Sequence, residues 1–346
     1  AVAVRADPAV RPRNPLMRCF WDERQRLHAP AAEFFNGALH PAAEHPGRVA
    51  SILAAIGPTE APQDHGLEPI LAVHDAEYVD LLRTAHDEWL TAGRTGDAIP
   101  YAFPVRRRPL RLDRIDARLG QFSYDTCTPI GPGTWESIYW AAQTALSALE
   151  VVKSGEHAFA LTRPPGHHAG RDYMGGYSYL NYAAICAAAA GCRTAILDID
   201  YHHGNGTQDI VCGRDGVRFA SIHADPRTDY PFFWGHAEES GGNILNLPVP
   251  RGTEFATYDR FLGQALDWLS LGQPELLIVS YGADTYAGDP ISHFAIQTND
   301  YAKLAKRIAA LGLPTLIIME GGYAVDALGT NVAAFLSGFS RDAAQG

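Results

Sequence analysis

Ala195-Ile-Leu-Asp198-Ile-Asp200-Tyr-His202-His203-Gly204-Asn205-Gly206 is the stretch on which the fold turns. Its first residues form an apolar run of the sort that fills a buried strand. Asp198, Asp200 and His202 then follow at two-residue spacing, which on a strand puts all three side chains on one side. Two carboxylates and an imidazole on such a face stay desolvated and repel unless a cation sits among them. A divalent metal meets that need, and oxygen and nitrogen donors of this kind suit zinc. An acidic pair at a strand end also suits a helix cap beside an ordinary hydrogen-bonded histidine, so this segment alone leaves both readings open. The glycines that follow let the chain turn sharply where the strand ends.

Other short apolar runs lie on either side, at Ala158–Thr162, Val217–Ile222, Leu276–Ser280 and Thr315–Met319. Stretches with helical spacing separate them, among them Tyr179–Ala190, Tyr258–Leu269 and Tyr301–Ala310. Strands alternating with helices predict an α/β fold whose central, mostly parallel sheet is flanked by helices. Functional groups in such sheets gather at the carboxyl ends of the strands. The first half is more helical, with amphipathic patterns at Arg48–Ile56, Ala76–Leu90 and Trp135–Val152. An irregular segment at about 93–133, rich in Arg, Pro and Asp, reads as a functional or assembly insertion. No linker divides the chain. Residues 1–16 read as a flexible tail, and 17–346 as one catalytic domain carrying the insertion.

Composition narrows the function. The chain has 346 residues, 47% of them hydrophobic, enough for a substantial core. No window approaches the roughly 20 apolar residues of a membrane span, and no signal peptide is evident. A net charge of −11 disfavours nucleic acid and favours cationic ligands. Five cysteines with no CxxC pair predict reduced thiols and a cytoplasmic location.

Every predicted strand runs into chemistry-bearing residues: Arg163-Pro-Pro-Gly-His167-His168, the Asp198–His202 set, Ser221-Ile-His223, Gly282-Ala-Asp284 and Glu320-Gly-Gly-Tyr323. The tandem histidines sit on a turn expected to hold both at a surface edge. They divide acid and base work if their partners differ. Asp284 would complete a ligand set of two carboxylates and one imidazole with a position left for water. Tyr323, after two glycines, sits on backbone free to move, and its phenol would donate to a developing oxyanion. Taken singly, Asp284 equally suits a helix cap and Tyr323 a packed aromatic. Their joint occurrence at successive strand ends favours a site.

These signatures, with Asp198-Ile-Asp-Tyr-His-His-Gly-Asn-Gly-Thr-Gln and Gly282-Ala-Asp-Thr-Tyr-Ala-Gly-Asp-Pro written out in full, resemble the single-domain arginase–deacetylase fold. Within it they resemble the zinc-dependent, histone deacetylase-like enzymes. Phe103-Pro-Val-Arg-Arg, Pro132-Gly-Thr-Trp-Glu136 and Gly235-His-Ala-Glu-Glu-Ser-Gly241 are most similar to the acetylpolyamine amidohydrolase branch. The likeness extends from about Met17 to nearly the C-terminus.

The resemblance implies zinc, or ferrous iron in the cell, on Asp200, His202 and Asp284. It implies His168 as base and then acid, and His167, oriented by Asp198, as its electrostatic partner. Asn205 stands where some of these enzymes carry an acid beside that histidine. Tyr323 would stabilise the oxyanion. A structural potassium would involve Asp198, Asp200, His202, Ser221 and Ile222. Tyr177 and Tyr230, with Gly176, would wall a tunnel for a methylene chain, and Asp116 would meet a distal ammonium. Ser178 and Tyr182 depart from the commonest pattern without touching the chemistry. The insertion would pair two copies into a homodimer. The implied reaction is hydrolysis of the acetyl amide of acetylputrescine-, acetylcadaverine- or acetylspermidine-type substrates. The alternatives are a protein or peptide lysine deacetylase with the same chemistry, a binder without turnover, and an arginase-like enzyme with two manganese ions.

Overall fold

Each of the five apolar runs forms a strand. The computed structural model describes residues 17–105, 110 and 112–339. The tail assigned to 1–16, and Arg106 and Arg107 of the Phe103–Arg107 stretch, lie outside the described residues. In chain order the strands are β1 (Arg18–Phe20), β2 (Glu33–Phe35), β3 (Ala38–His40), β4 (Ala158–Ala160), β5 (Thr194–Asp198), β6 (Val217–Ala224), β7 (Ile244–Val249), β8 (Leu276–Tyr281) and β9 (Thr315–Met319). Seven of them make one sheet in the order β1-β4-β9-β8-β5-β6-β7, every neighbouring pair parallel, while β2 and β3 form a separate hairpin.

The central strands are apolar throughout because helices cover both sheet faces. Along β5, Ile196 joins one hydrophobic cluster while Ala195 and Leu197 join the other. β8 and β9 split the same way, with Ile278, Leu316 and Ile318 on one face and Leu277, Val279 and Ile317 on the opposite face. β5 and β8 lie side by side, with Asp198 opposite Ser280, so their carboxyl ends open at one rim.

The predicted helices form with small shifts at their ends. The one expected at Tyr179–Ala190 begins at Tyr182, because the Asn181 side chain accepts from Ala184 N and caps it. The insertion is less irregular than expected, since a short helix spans Ile115–Gln121 within it.

Buried His28, His74 and His223 stay neutral. His28 pairs with Thr134 Oγ1 at 2.9 Å, His74 Nε2 accepts from Asn181 N at 2.9 Å, and His223 Nε2 lies 2.8 Å from Gly235 O. Burial pushes each down from 6.5 to about 4. The unfolded chain binds these protons near 6.5, whereas the folded chain refuses them until about 4. Their contribution to stability is therefore full above pH 6.5 and is lost as the pH falls toward 4. The fall in urea midpoint of metal-free protein from pH 7 to pH 5 should be smaller in a His74→Gln chain than in wild type, and an equal fall would contradict this assignment.

Candidate active site

β5 ends at Asp198, so the alternation expected to carry Asp198, Asp200 and His202 on one strand face stops there. Beyond it the carboxylates bend the backbone. Asp198 Oδ1 accepts from Asp200 N at 3.1 Å, and Asp200 Oδ1 accepts from His202 N at 2.8 Å, a turn-forming use of Asp that ends a strand. The bend sends Asp198 toward one partner and Asp200 with His202 toward another.

Asp200, His202 and Asp284 offer ligand atoms that all lie within 4.8 Å of one another. His202 Nδ1 sits 3.3 Å from Asp200 Oδ1 and 3.2 Å from Asp284 Oδ2. Both carboxylates are fully buried. Burial, reinforced by the neighbouring Asp200 charge, pushes Asp284 up to about 7. Such a pair ionises fully only with a cation between them. The surroundings leave room for one. A Cβ on Gly282 would come within 2.1 Å of Asp200 Oδ2, and one on Gly321 within 2.5 Å of Asp284 Oδ2. Glycine alone fits at both positions. The donor set and its charge balance fit a divalent metal.

His167 and His168 are not at a surface edge. Both are buried, with ring centroids 4.0 Å apart. The physical reason is Glu320, a buried carboxylate whose Oε2 accepts from Gly166 N at 2.7 Å and His167 N at 3.1 Å, drawing the turn inward. The two imidazoles do have different partners. His167 Nδ1 lies 3.0 Å from Asp198 Oδ2, and His168 Nδ1 donates to Asn205 Oδ1 at 2.7 Å. Burial works against charge on His167, but Asp200 and Asp198 overcome it and raise the ring to about 10. His168 has no carboxylate partner. Burial, then the His167 charge, hold it well below the usual histidine range. The partners push the one ring toward the cation and the other toward the free base.

Aromatic side chains close the site. The Tyr177 ring stands edge-on to Tyr323 at 5.7 Å, and Tyr230 stands edge-on to His168 at 5.1 Å. Asp125 braces this wall, accepting from Gly176 N at 2.7 Å and from the Tyr230 hydroxyl at 2.8 Å. Gly176, at φ +53°, runs so near His168 that a Cβ would come within 2.2 Å of its ring. Tyr323 is buried, and its turn is tied from several sides rather than free to move.

The site departs from expectation at Asp116 and Ser178. Asp116 is buried and occupied, because Arg94 and Arg114 both pair with its Oδ2, at 2.6 and 2.7 Å. It has no free face for an ammonium. Ser178 does reach the chemistry, since its Oγ accepts from His168 N at 3.3 Å. Tyr182 is buried with its hydroxyl unpartnered. Of the expected potassium set, Asp198 and Ser221 face each other across β5 and β6, and the Ser221 hydroxyl is shared with His223 Nδ1 at 2.8 Å.

Glu320 and Glu33 belong to the site as well. Glu320 was legible only as part of a motif. Glu33 carried no signal at all, yet its side chain is buried against Tyr177, burial raises its carboxyl, and Oε2 has no hydrogen-bond partner.

The histone deacetylase domain family matches residues 42–339. Acetylpolyamine amidohydrolase 1 of Pseudomonas aeruginosa is 46% identical over 93% of this chain and 99% of its own length. The acetylpolyamine amidohydrolase of Mycoplana ramosa is 42% identical over 93% and 99%. Among solved structures, an acetylpolyamine aminohydrolase from Burkholderia pseudomallei superposes with a TM-score of 0.90 at 38% identity, covering 93% of this chain and 98% of that one.

Proposed function

The chain belongs to the histone deacetylase domain family, and from that membership we propose that it is a zinc-dependent amidohydrolase that removes acetyl groups from N-acetylated polyamines. The products are acetate and the free amine. Near-full-length similarity to relatives named for acetylpolyamines carries the substrate class.

Asp200, His202 and Asp284 would hold the metal, which when bound supplies Lewis acidity toward water and the acetyl carbonyl. The chain's own groups do the rest. His168, neutral and directed by Asn205, takes a proton from the attacking water at Nε2 and returns it to the departing nitrogen. His167, whose charge Asp200 and Asp198 favour, adds positive charge beside the developing negative charge. The Tyr323 phenol donates to the carbonyl oxygen as it becomes an oxyanion. Tyr177 and Tyr230 flank the methylene chain and exclude water. Glu33 is the buried acidic group behind that wall, set against Tyr177.

A structural potassium near Asp198, Ser221 and Ile222, ferrous iron as a substitute metal, a homodimer built on the 93–133 insertion and a cytoplasmic location belong to the same reading. Five free thiols support the location. No helix among the described residues is long and apolar enough to cross a membrane.

A kinetic panel tests the substrate class. Metal-quantified protein should show higher kcat/KM for acetylputrescine and acetylcadaverine than for an acetyl-lysine peptide. A strong preference for the peptide would make the chain a lysine deacetylase with the same chemistry.

A further inference from the structure

Tyr323 reaches the site on a turn with little stiffness of its own. Gly321 passes too close to Asp284 and Asp200 to carry a side chain, and Gly322 sits at φ +126°. Bonds from outside the turn must therefore fix the phenol. Arg48 grips two carbonyls, donating from Nη2 to Glu320 O at 2.6 Å and from Nε to Gly322 O at 2.7 Å. The two amides beyond the glycines converge on one atom. Tyr323 N and Ala324 N both donate to Asp289 Oδ2, at 2.7 and 3.2 Å. The other oxygen, Oδ1, accepts from Ile291 N at 3.1 Å, and Asp289 is only 7% exposed. Hydrogen bonds to a buried carboxylate are among the stronger ones a backbone amide makes.

Asp289 lies on the loop that follows β8, five positions beyond Asp284. In that loop the Ser292 hydroxyl also donates to the Asp284 carbonyl. One loop thus carries a member of the metal-ligating set and the carboxylate that holds the tyrosine's own amide. We propose that Asp289 is a positioning residue: its carboxylate fixes the Tyr323 backbone against the Asp284 loop and so sets the reach of the phenol to the metal-ligating set. The inference rests on Tyr323 acting as the oxyanion donor. A carboxylate that merely ties down a loop would matter equally with or without that hydroxyl.

The test is a double-mutant cycle of Asp289→Ala and Tyr323→Phe, with Asp289→Asn as the conservative variant, read on metal-quantified protein. Misplacing a reacting group by about 1 Å costs on the order of 10²-fold, so Asp289→Ala should lower kcat about 10- to 100-fold with KM and metal content nearly unchanged. Asp289→Asn keeps an acceptor oxygen and should recover most of the rate. In the Tyr323→Phe background, Asp289→Ala should cost nothing further. Amide hydrogen exchange over residues 320–325 should quicken in Asp289→Ala and stay slow in Asp289→Asn. If the alanine chain does not fold, Asp289→Glu, which displaces the acceptor by one methylene, takes its place with the same expected pattern. Wild-type kcat in Asp289→Ala, an equal loss with and without the Tyr323 hydroxyl, or a rate that falls only as metal is lost would each overturn the proposal. Full activity in Tyr323→Phe alone would instead remove the oxyanion reading on which it stands.

Discussion

Replacing His168 with alanine in metal-replete protein should lower turnover by about 10²–10⁴-fold. The paired imidazoles differ in the groups they face. His167 faces Asp198 and is held protonated, so it cannot accept a proton near neutral pH. His168 faces the neutral Asn205 amide, and burial together with the adjacent His167 charge keeps it unprotonated. With Nδ1 donating to Asn205, Nε2 is left as the basic atom. Among the described residues the His168 ring's other imidazole neighbour, His202, belongs to the ligand set. Single-turnover rates with acetylputrescine are the measurement, and a His168→Ala chain running near the wild-type rate would refute the assignment.

Tyr323→Phe should lower kcat by about 10²–10³-fold while leaving KM and metal content nearly unchanged. The substitution removes one oxygen from a ring that stays packed between Arg48, 4.8 Å away, and Tyr177. Little else should move. The phenol is buried, and burial raises its pKa well above the usual value, so it stays a hydrogen-bond donor across the working pH range. Its partner is an oxygen that gains charge only in the transition state, so the loss should fall on kcat. A phenylalanine variant with a raised KM and unchanged kcat would place the hydroxyl on substrate binding instead.

The sheet was legible where its strands are buried on both faces, because such strands are uninterrupted apolar runs. β5, β8 and β9 are of this kind. β1 and β7 escaped notice because they are the two edges of the sheet. β1 has three residues, and β7 carries Asn246 and Pro248, which an edge strand tolerates and a central strand does not. In the site, side chains that serve as donors themselves were readable, since Asp200, His202 and Asp284 must be those residue types to hold a metal. Residues that act on distant backbone were not. Glu320 bonds the amide of His167, 153 positions away, and Asp289 that of Tyr323, 34 away, and no local pattern encodes either contact. Asp116 is held by Arg114, two residues before it, and by Arg94, 22 residues upstream, which meets it only in the folded insertion. The histidine pair was placed at an edge because a Pro-Pro-Gly turn favours the surface, and only the buried Glu320 carboxylate reverses that.

Metal stoichiometry tests the central claim most directly. Chain purified in excess zinc, gel-filtered and analysed by atomic emission should carry one transition-metal ion per chain at the site of Asp200, His202 and Asp284, and the Asp284→Ala chain should carry none there and show no acetate release. Wild-type chain that retains no zinc, that binds two manganese ions per chain, or whose acetate release survives complete chelation would contradict the account.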